Sequence, residues 1–428
     1  MQILIATSRF QDLAGSEITV LEYAIELSLQ GNVVSIACFF ESERYKDECI
    51  KHGIKLATFD DSALIYTSWD VIWIFHQPTF YALFSKWNYS TQYTVFSSLS
   101  HFEPLETPPI EICPLNIITT NSEENLSYFN ENYPDYSSKA IVLPNSIPRD
   151  FWVNQRSANS GKVLIVSNHI PSELLELKDI LESQGTIVDI YGTGYIEDRI
   201  TPQVLSNYKL CISIGKTVQY CLALKVPVFC YDHFGGPGWI TEENIITAAD
   251  KNFSGRCSPS TYTAEELSKK IEDELIPSVA ELEQNFQFAK DKFSLDKNLS
   301  GVLDALSRSV ISLSHTTTAT EKKIFSRIVD VFLRDSRRQH ELSLAYQKES
   351  QRREKAELQL CEYKYAWEAE SAKRFSVEDE LLKIASALEI ERKEHVEAMQ
   401  QLIYAKKSKL LKSYYFIKSL AKKFNIKK

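Results

Sequence analysis

A chain of 428 residues with 44% hydrophobic content is long enough for roughly two to four domains with ordinary cores. Its formal charge is −9, but nine Lys and no acid lie between positions 404 and 428, so the remainder carries −18. An acidic body with a basic end argues against general nucleic-acid binding and for an anionic partner of the tail alone.

The eight Cys are scattered without CxxC pairs, which argues against a zinc site. Cys38, Cys211, Cys221 and Cys230 sit in apolar runs, where Cys acts as a small buried hydrophobe. The opening MQILIATS reads as a strand rather than a secretion signal. No run nears the roughly 18 apolar residues of a membrane span. A cytoplasmic protein with reduced thiols is the expectation.

The N-terminal region alternates strand and helix patterns. Ile3–Ala6 reads as a strand, and 15–29 as an amphipathic helix with Ser16 as its N-cap. Further strands are expected at 33–40, 71–75, 93–96, 115–119 and 140–143. Strands alternating with helices predict a parallel sheet covered on both faces. The polar stretch 150–161 reads as a linker, after which the pattern restarts. Strands are expected at 162–166, 186–191, 210–214 and 226–231, with a helix at 173–183. The fold class predicted is α/β, with two tandem doubly wound Rossmann-like domains at 1–150 and 151–300.

The segment from Ile214 to Ile240, IGKTVQYCLALKVPVFCYDHFGGPGWI, carries the densest functional signal. It reads as a helix start, a short apolar helix, a buried strand and a glycine-rich loop. Of only 13 glycines in the chain, Gly235, Gly236 and Gly238 fall within four positions. A loop leaving the carboxyl end of a strand is where ligands bind in an open α/β sheet. Bare glycine N–H groups there would suit phosphate oxygens, with a plain tight turn as the alternative.

After Gly301 there is no further Gly or Pro, and charges of both signs are dense from Glu321 to Ile403. A helical stalk or coiled coil is predicted over 301–403, with Leu381, Ile384 and Leu388 on a possible seam. A solitary charged helix is the alternative. Over 404–428 lysines interleave with Leu410, Leu411, Tyr414, Tyr415, Phe416, Ile417, Leu420 and Phe424. This suits an in-plane helix on anionic lipid, with nonspecific nucleic-acid contact as the rival.

The AGSE turn at Ala14–Glu17, LPNS at Leu143–Ser146, and the 214–240 block together resemble GT-B glycosyltransferases, nearest the retaining, family-four-like branch. VSNHIPSEL at Val166–Leu174, YDHFGGPGW at Tyr231–Trp239 and NFSGR at Asn252–Arg256 resemble enzymes of bacterial surface-polysaccharide loci. The resemblance covers roughly residues 1–300. It implies a nucleotide-diphosphate sugar donor on the second domain, an acceptor on the first, and no metal cofactor. It implies donor contacts from Gly15, Ser16, Ser167, Asn168, His169, Lys216, Gly235, Gly236, Gly238 and Arg256. A histidine at a strand end contacts the transferred sugar in such enzymes, and either His76 or His101 matches. Tyr220 stands where these enzymes usually carry a ribose-anchoring glutamate; a phenol can hydrogen-bond ribose but brings no charge. Glu242 and Glu243 are alternative ribose ligands, or helix-start acids.

The implied function is transfer of a sugar from that donor to a lipid-linked glycan acceptor in surface-polysaccharide assembly. The enzyme would lie peripherally on the inner face of the cell membrane, with a homo-oligomer or assembly partner on its coiled coil. The alternative is a catalytically degenerate GT-B module that binds nucleotide or glycan and acts as a scaffold. A nucleotide-sugar epimerase of the same architecture ranks last, because its carboxylate pair is not identifiable.

Overall fold

The computed structural model describes residues 1–61, 64, 68–86, 91–110, 115–153, 161–273, 276–310, 317–370 and 377–423. Met1–Val329 forms one compact unit and Asp330–Lys428 a second. The first sheet contains β1 (Gln2–Ala6), β2 (Val33–Cys38), β3 (Lys55–Thr58), β4 (Trp69–Phe75), β5 (Thr91–Ser98), β6 (Ile117–Thr120) and β7 (Ala140–Val142). Its order is β3-β2-β1-β4-β5-β6-β7, and every pair is parallel. The central strands read ILIA and VIWIF because helices cover both faces, leaving no face for polar alternation. The edge strand β3, KLAT, is half polar and carries little apolar signal in the sequence.

Helix α1 (Gly15–Leu29) packs Val20, Leu21, Ala24 and Leu27 into this core. Its N-cap is Ala14, not Ser16, and no side chain caps it. The Ser16 hydroxyl instead donates to Glu17 Oε2 at 2.7 Å, one residue inside the helix.

The second sheet contains β8 (Val163–Val166), β9 (Val188–Tyr191), β10 (Leu210–Ser213), β11 (Val228–Asp232) and β12 (Gly235–Trp239), in the order β9-β8-β10-β11-β12. The first four are parallel and β12 is antiparallel to β11. This corrects the expected glycine-rich loop: Gly235, Gly236 and Gly238 lie in a buried edge strand that folds back on β11. A Cβ at Gly236 would stand 1.9 Å from the Cys230 carbonyl oxygen, and one at Gly235 2.4 Å from that of Ser260. Close backbone approach, also sharpened by φ near +80° at Gly235 and Gly238, accounts for these glycines.

The chain crosses between the domains twice, side by side. Ile147 N–H donates to Phe293 O at 2.7 Å, and Leu295 N–H to Ile147 O at 3.1 Å. The helix Leu295–Arg308 then buries Leu295, Leu299, Val302 and Leu306 in the first-domain core. Phe325, early in the helix Ala319–Glu370, packs on Tyr81 of that domain, ring centroids 5.1 Å apart. The two tandem doubly wound domains and the helical extension match the predicted fold class.

In the second unit, the helix Ala319–Glu370 continues and Val377–Lys423 follows. Tyr346 and His395 bring them together, ring centroids 5.0 Å apart. Of the expected seam, Ile384 is 38% exposed and Leu388 half-buried, while the side chain of Leu381 lies outside the described residues.

Because β12 leaves no room at its second glycine, Gly236→Val is expected to destabilise the fold by about 3 kcal/mol or more. A urea unfolding midpoint unchanged from wild type would contradict the packing described.

Candidate functional site

In a doubly wound sheet the ligand crevice opens beyond the strand carboxyl ends, where the strand order reverses. In the first sheet that point lies between β1 and β4; in the second it lies between β8 and β10. Three contacts show that these edges face each other: Lys216 with Glu22, Arg256 with Glu124, and Asn145 with Asn252. The cleft between them is the candidate site.

His76 follows β4 and enters the helix Gln77–Lys86 at φ +68°. This left-handed conformation is costly for a non-glycine residue. It is held by the Thr79 hydroxyl, which donates to the carbonyls of Phe75 and His76, each at 2.7 Å. Across the reversal point, Ser8 Oγ lies 2.9 Å from His76 Nδ1, and the Ser8 N–H points at the same nitrogen at 3.4 Å. That amide makes Nδ1 an acceptor and assigns the ring proton to Nε2. Nε2 faces Glu106 Oε1 at 3.6 Å. Burial, aided by Arg9, lowers the His76 pKa to about 4, and burial raises that of Glu106 to about 8. Near neutral pH the two are therefore an imidazole facing a carboxylic acid, not an ion pair.

His101 sits beyond β5 in a more open place. Its ring stacks on Tyr128 at 4.6 Å and lies against Phe102. Burial lowers its pKa below the usual histidine value. Beside it, Arg256 of the second domain makes a two-point contact with Glu124, at the start of the helix Glu123–Asn132. Its guanidinium lies over Phe102 at 5.0 Å and Phe234 at 5.5 Å. Lys251 Nζ is 3.7 Å from the same carboxylate.

The other clasp is deeper. Glu22 of α1, 2% exposed, projects into the second domain. Its Oε2 is 2.5 Å from Lys216 Nζ, and its Oε1 accepts from Tyr220 OH at 2.5 Å and Arg199 Nη2 at 3.2 Å. Thr19 Oγ1 adds a contact to Lys216 at 3.2 Å. Burial lowers the lysine pKa against the pull of Glu22; burial and Glu22 together push the Tyr220 phenol far up. Lys216 is thus no solvated surface lysine, and the Tyr220 hydroxyl is committed to a carboxylate of the other domain. Gly215, at φ +63°, caps the helix Lys216–Leu224 and has open space beside it.

Ser167, ending β8, donates to Asp232 Oδ2 at 2.9 Å and accepts from the His169 N–H at 3.1 Å. Asn168 and His169 are exposed, and the His169 ring lies 6.2 Å from that of His233. The β11–β12 turn therefore presents Asp232, His233 and Phe234 at the ligand edge, just upstream of the glycines. Gly15 is exposed at the start of α1, with Ser16 beside it. Glu242 is not brought to this edge. Strand β12 runs back along β11 until Ile240 N–H bonds Val228 O at 3.2 Å, so Glu242 and Glu243 lie exposed beyond the opposite end of the sheet.

Glu22, Glu106, Glu124, Arg199 and Asp232 were not singled out in the sequence. Glu22 and Glu124 are helix acids, which read as solvated faces unless a partner is known. The one local signal was Asp232 at the end of an apolar strand.

No protein-family model matches the chain, and no curated protein is similar to it. Among solved structures, it is similar to Anabaena Alr3699/HepE, determined in complex with UDP and glucose. That likeness has 13% identity and a TM-score of 0.48, covering 72% of this chain and 99% of the other. It is also similar to a glycosyltransferase from Rickettsia africae, with 14% identity, TM-score 0.44, and 72% and 97% coverage. A third is WaaG, a glycosyltransferase involved in lipopolysaccharide biosynthesis, with 9% identity, TM-score 0.44, and 70% and 99% coverage.

Removing Glu22 strands two partly buried cations and a buried phenol. Glu22→Ala is expected to cost about 3–5 kcal/mol. Glu26→Ala should cost less, because its partner Arg149 is half-exposed. Urea unfolding of both variants tests this; a larger loss for Glu26→Ala would contradict the ranking.

Proposed function

We propose that the chain is a GT-B glycosyltransferase moving a sugar from a nucleotide-diphosphate donor to a lipid-linked glycan acceptor in cell-surface polysaccharide assembly. The observation that carries this reading is the facing of two reversal points across one cleft. The first-domain side offers a strained, neutral histidine; the second offers Lys216, Arg199 and Arg256. That division suits an acceptor side and an anion side. The family resemblance supplies the donor class.

In this reading the backbone N–H of Asn168, the open Gly215 turn and the cations grip the diphosphate. The cations neutralise charge that grows on it as the sugar leaves. His76, fixed by Ser8, presents Nε2–H to a polar group of the reacting sugar. The proposal uses no metal ion as a catalyst, so turnover should survive a chelator.

The experiment is a panel of nucleotide sugars assayed for transfer and for hydrolysis. Turnover of at least one donor is expected. The variant His76→Asn keeps a residue that tolerates the left-handed backbone. It should lower turnover about 100-fold while leaving donor affinity little changed. Full turnover in this variant would remove His76 from the mechanism and leave His101.

One observation favours a second reading, a degenerate scaffold. Lys216 and Arg256 are each paired with a first-domain carboxylate, and Tyr220 replaces the expected charged ribose anchor. Nucleotide-sugar binding without turnover of any donor would select it.

The proposal places the protein on the inner face of the membrane, held by 404–428, with a second copy or an assembly partner on its long helices. Among the described residues no helix is long and apolar enough to cross a membrane. The helix Val377–Lys423 carries seven of the tail's nine lysines, and residues 424–428 lie outside the described residues. Each basic residue near an anionic surface contributes about 1 kcal/mol. A chain ending at Ile403 is expected to stay folded yet lose co-sedimentation with anionic liposomes. Equal binding by both chains would refute the anchor, and tighter binding of the tail to RNA would replace it.

A further inference from the structure

We infer that the narrow pocket lined by Glu106, Ser98, His101, Asn125 and Tyr128 binds one hydroxyl group of a sugar ring, with the Glu106 carboxyl as its anchor. Identifying that sugar as the acceptor rests on the transferase reading above.

The pocket lies beyond β5 on the acceptor side and has room for about one water-sized group. Glu106 is buried in its wall. Glu106 Oε2 is fixed by the Leu99 N–H at 2.7 Å, so the acid proton belongs on Oε1. There it meets His76 Nε2 only at 3.6 Å, too far for a hydrogen bond. Both atoms bear protons in the neutral pair, so Oε1–H is available to a group in the pocket. Arg9, Glu17 and Glu103 are the other charged groups acting on the pair, and burial outweighs them.

A complementary acceptor lies in the same wall. Asn125 Nδ2 donates to Ser98 O at 2.8 Å, which turns the amide and leaves Oδ1 over. That buried Oδ1 accepts no bond of full hydrogen-bond geometry among the described residues, and its interaction with the nearby His101 ring leaves its second lone pair for a group in the pocket. A donor and an acceptor around a water-sized space call for a group that both accepts and donates. A hydroxyl does this. A carboxylate lacks the proton for Oδ1, and an ammonium cannot accept from Glu106. Tyr128 and Phe102, both exposed, give apolar faces beside the pocket for the ring carbons.

The test is ligand-observed NMR with methyl glycosides of glucose, galactose, N-acetylglucosamine and rhamnose. At least one should bind the wild-type chain. Glu106→Gln retains a donor of the same length and should bind nearly as well; Glu106→Leu should bind at least about tenfold more weakly. Tyr128→Ala changes an exposed wall, is expected to fold, and should also weaken binding. Failure of all four glycosides to bind overturns the inference, as does wild-type affinity in folded Glu106→Leu or in Tyr128→Ala. Glu106-dependent binding with no turnover of any nucleotide sugar would remove the transferase reading and keep the pocket. Turnover with glycoside binding indifferent to Glu106 would do the reverse.

Discussion

The carboxylate of Glu22 is the interaction on which the geometry of the cleft depends. Burying one carboxylate costs several kcal/mol unless opposite charge and hydrogen bonds meet it. Here the partners come from the other domain: Lys216, Tyr220 and Arg199 all converge on it. The helix α1 can therefore keep Glu22 dry only while the second domain is docked. Arg256 with Glu124 repeats the device in a more open place, where solvent screens it and it holds less strongly. Alongside the two clasps, the paired crossings at Ile147 and Leu295 tie the domains together. The carboxyl ends of both sheets are thereby set facing each other.

That facing makes His76 informative. A non-glycine residue at positive φ persists only where its surroundings over-determine it. Thr79 holds its carbonyl, Ser8 its Nδ1, and burial keeps it neutral. A buried imidazole beside a buried carboxyl is usually an ion pair. Here both are desolvated enough that each loses its charge, and the pair becomes a set of directed donors. Linkage follows from the same fact. Glu106, with its pKa raised to about 8, favours the fold most at acid pH, and that contribution fades as pH rises through 8.

The apolar runs at Ile3–Ala6, Val71–Phe75 and Val163–Val166 were legible because strands buried on both faces have no other composition. The edge strand Lys55–Thr58 was not, because one solvated side dilutes the signal. Gly235, Gly236 and Gly238 have the pattern of a phosphate cradle in the sequence. A glycine needed for approach to a ligand and one needed for approach to Cys230 look the same in a sequence. Ser16 and Ala14 differ by two positions, within the usual uncertainty of a helix start, but that difference moved the expected cap. Lys216 and Tyr220 were legible as special and their partner was not. Glu22 lies nearly 200 residues away on a helix whose acids read as solvated. The apolar stripe of Leu295–Arg308 was equally readable, but nothing local says that it belongs to the first core.

In the transferase reading proposed above, the clasps also set what a diphosphate donor would have to do. Glu22 and Glu124 occupy the cations that a diphosphate would use, so the ligand competes with groups already desolvated and oriented. A ligand shifts such an equilibrium only by the difference in its affinity for the open and closed arrangements. A diphosphate brings more charge than one carboxylate and can accept from the backbone N–H of Asn168 as well. It therefore has a source of differential affinity that a neutral sugar lacks. The Arg256 clasp, whose carboxylate Glu124 is 21% exposed against 1% for Glu22, is the cheaper of the two to release. Opening is therefore easier at Arg256 and Glu124 than at Glu22, whose three partners all come from the other domain.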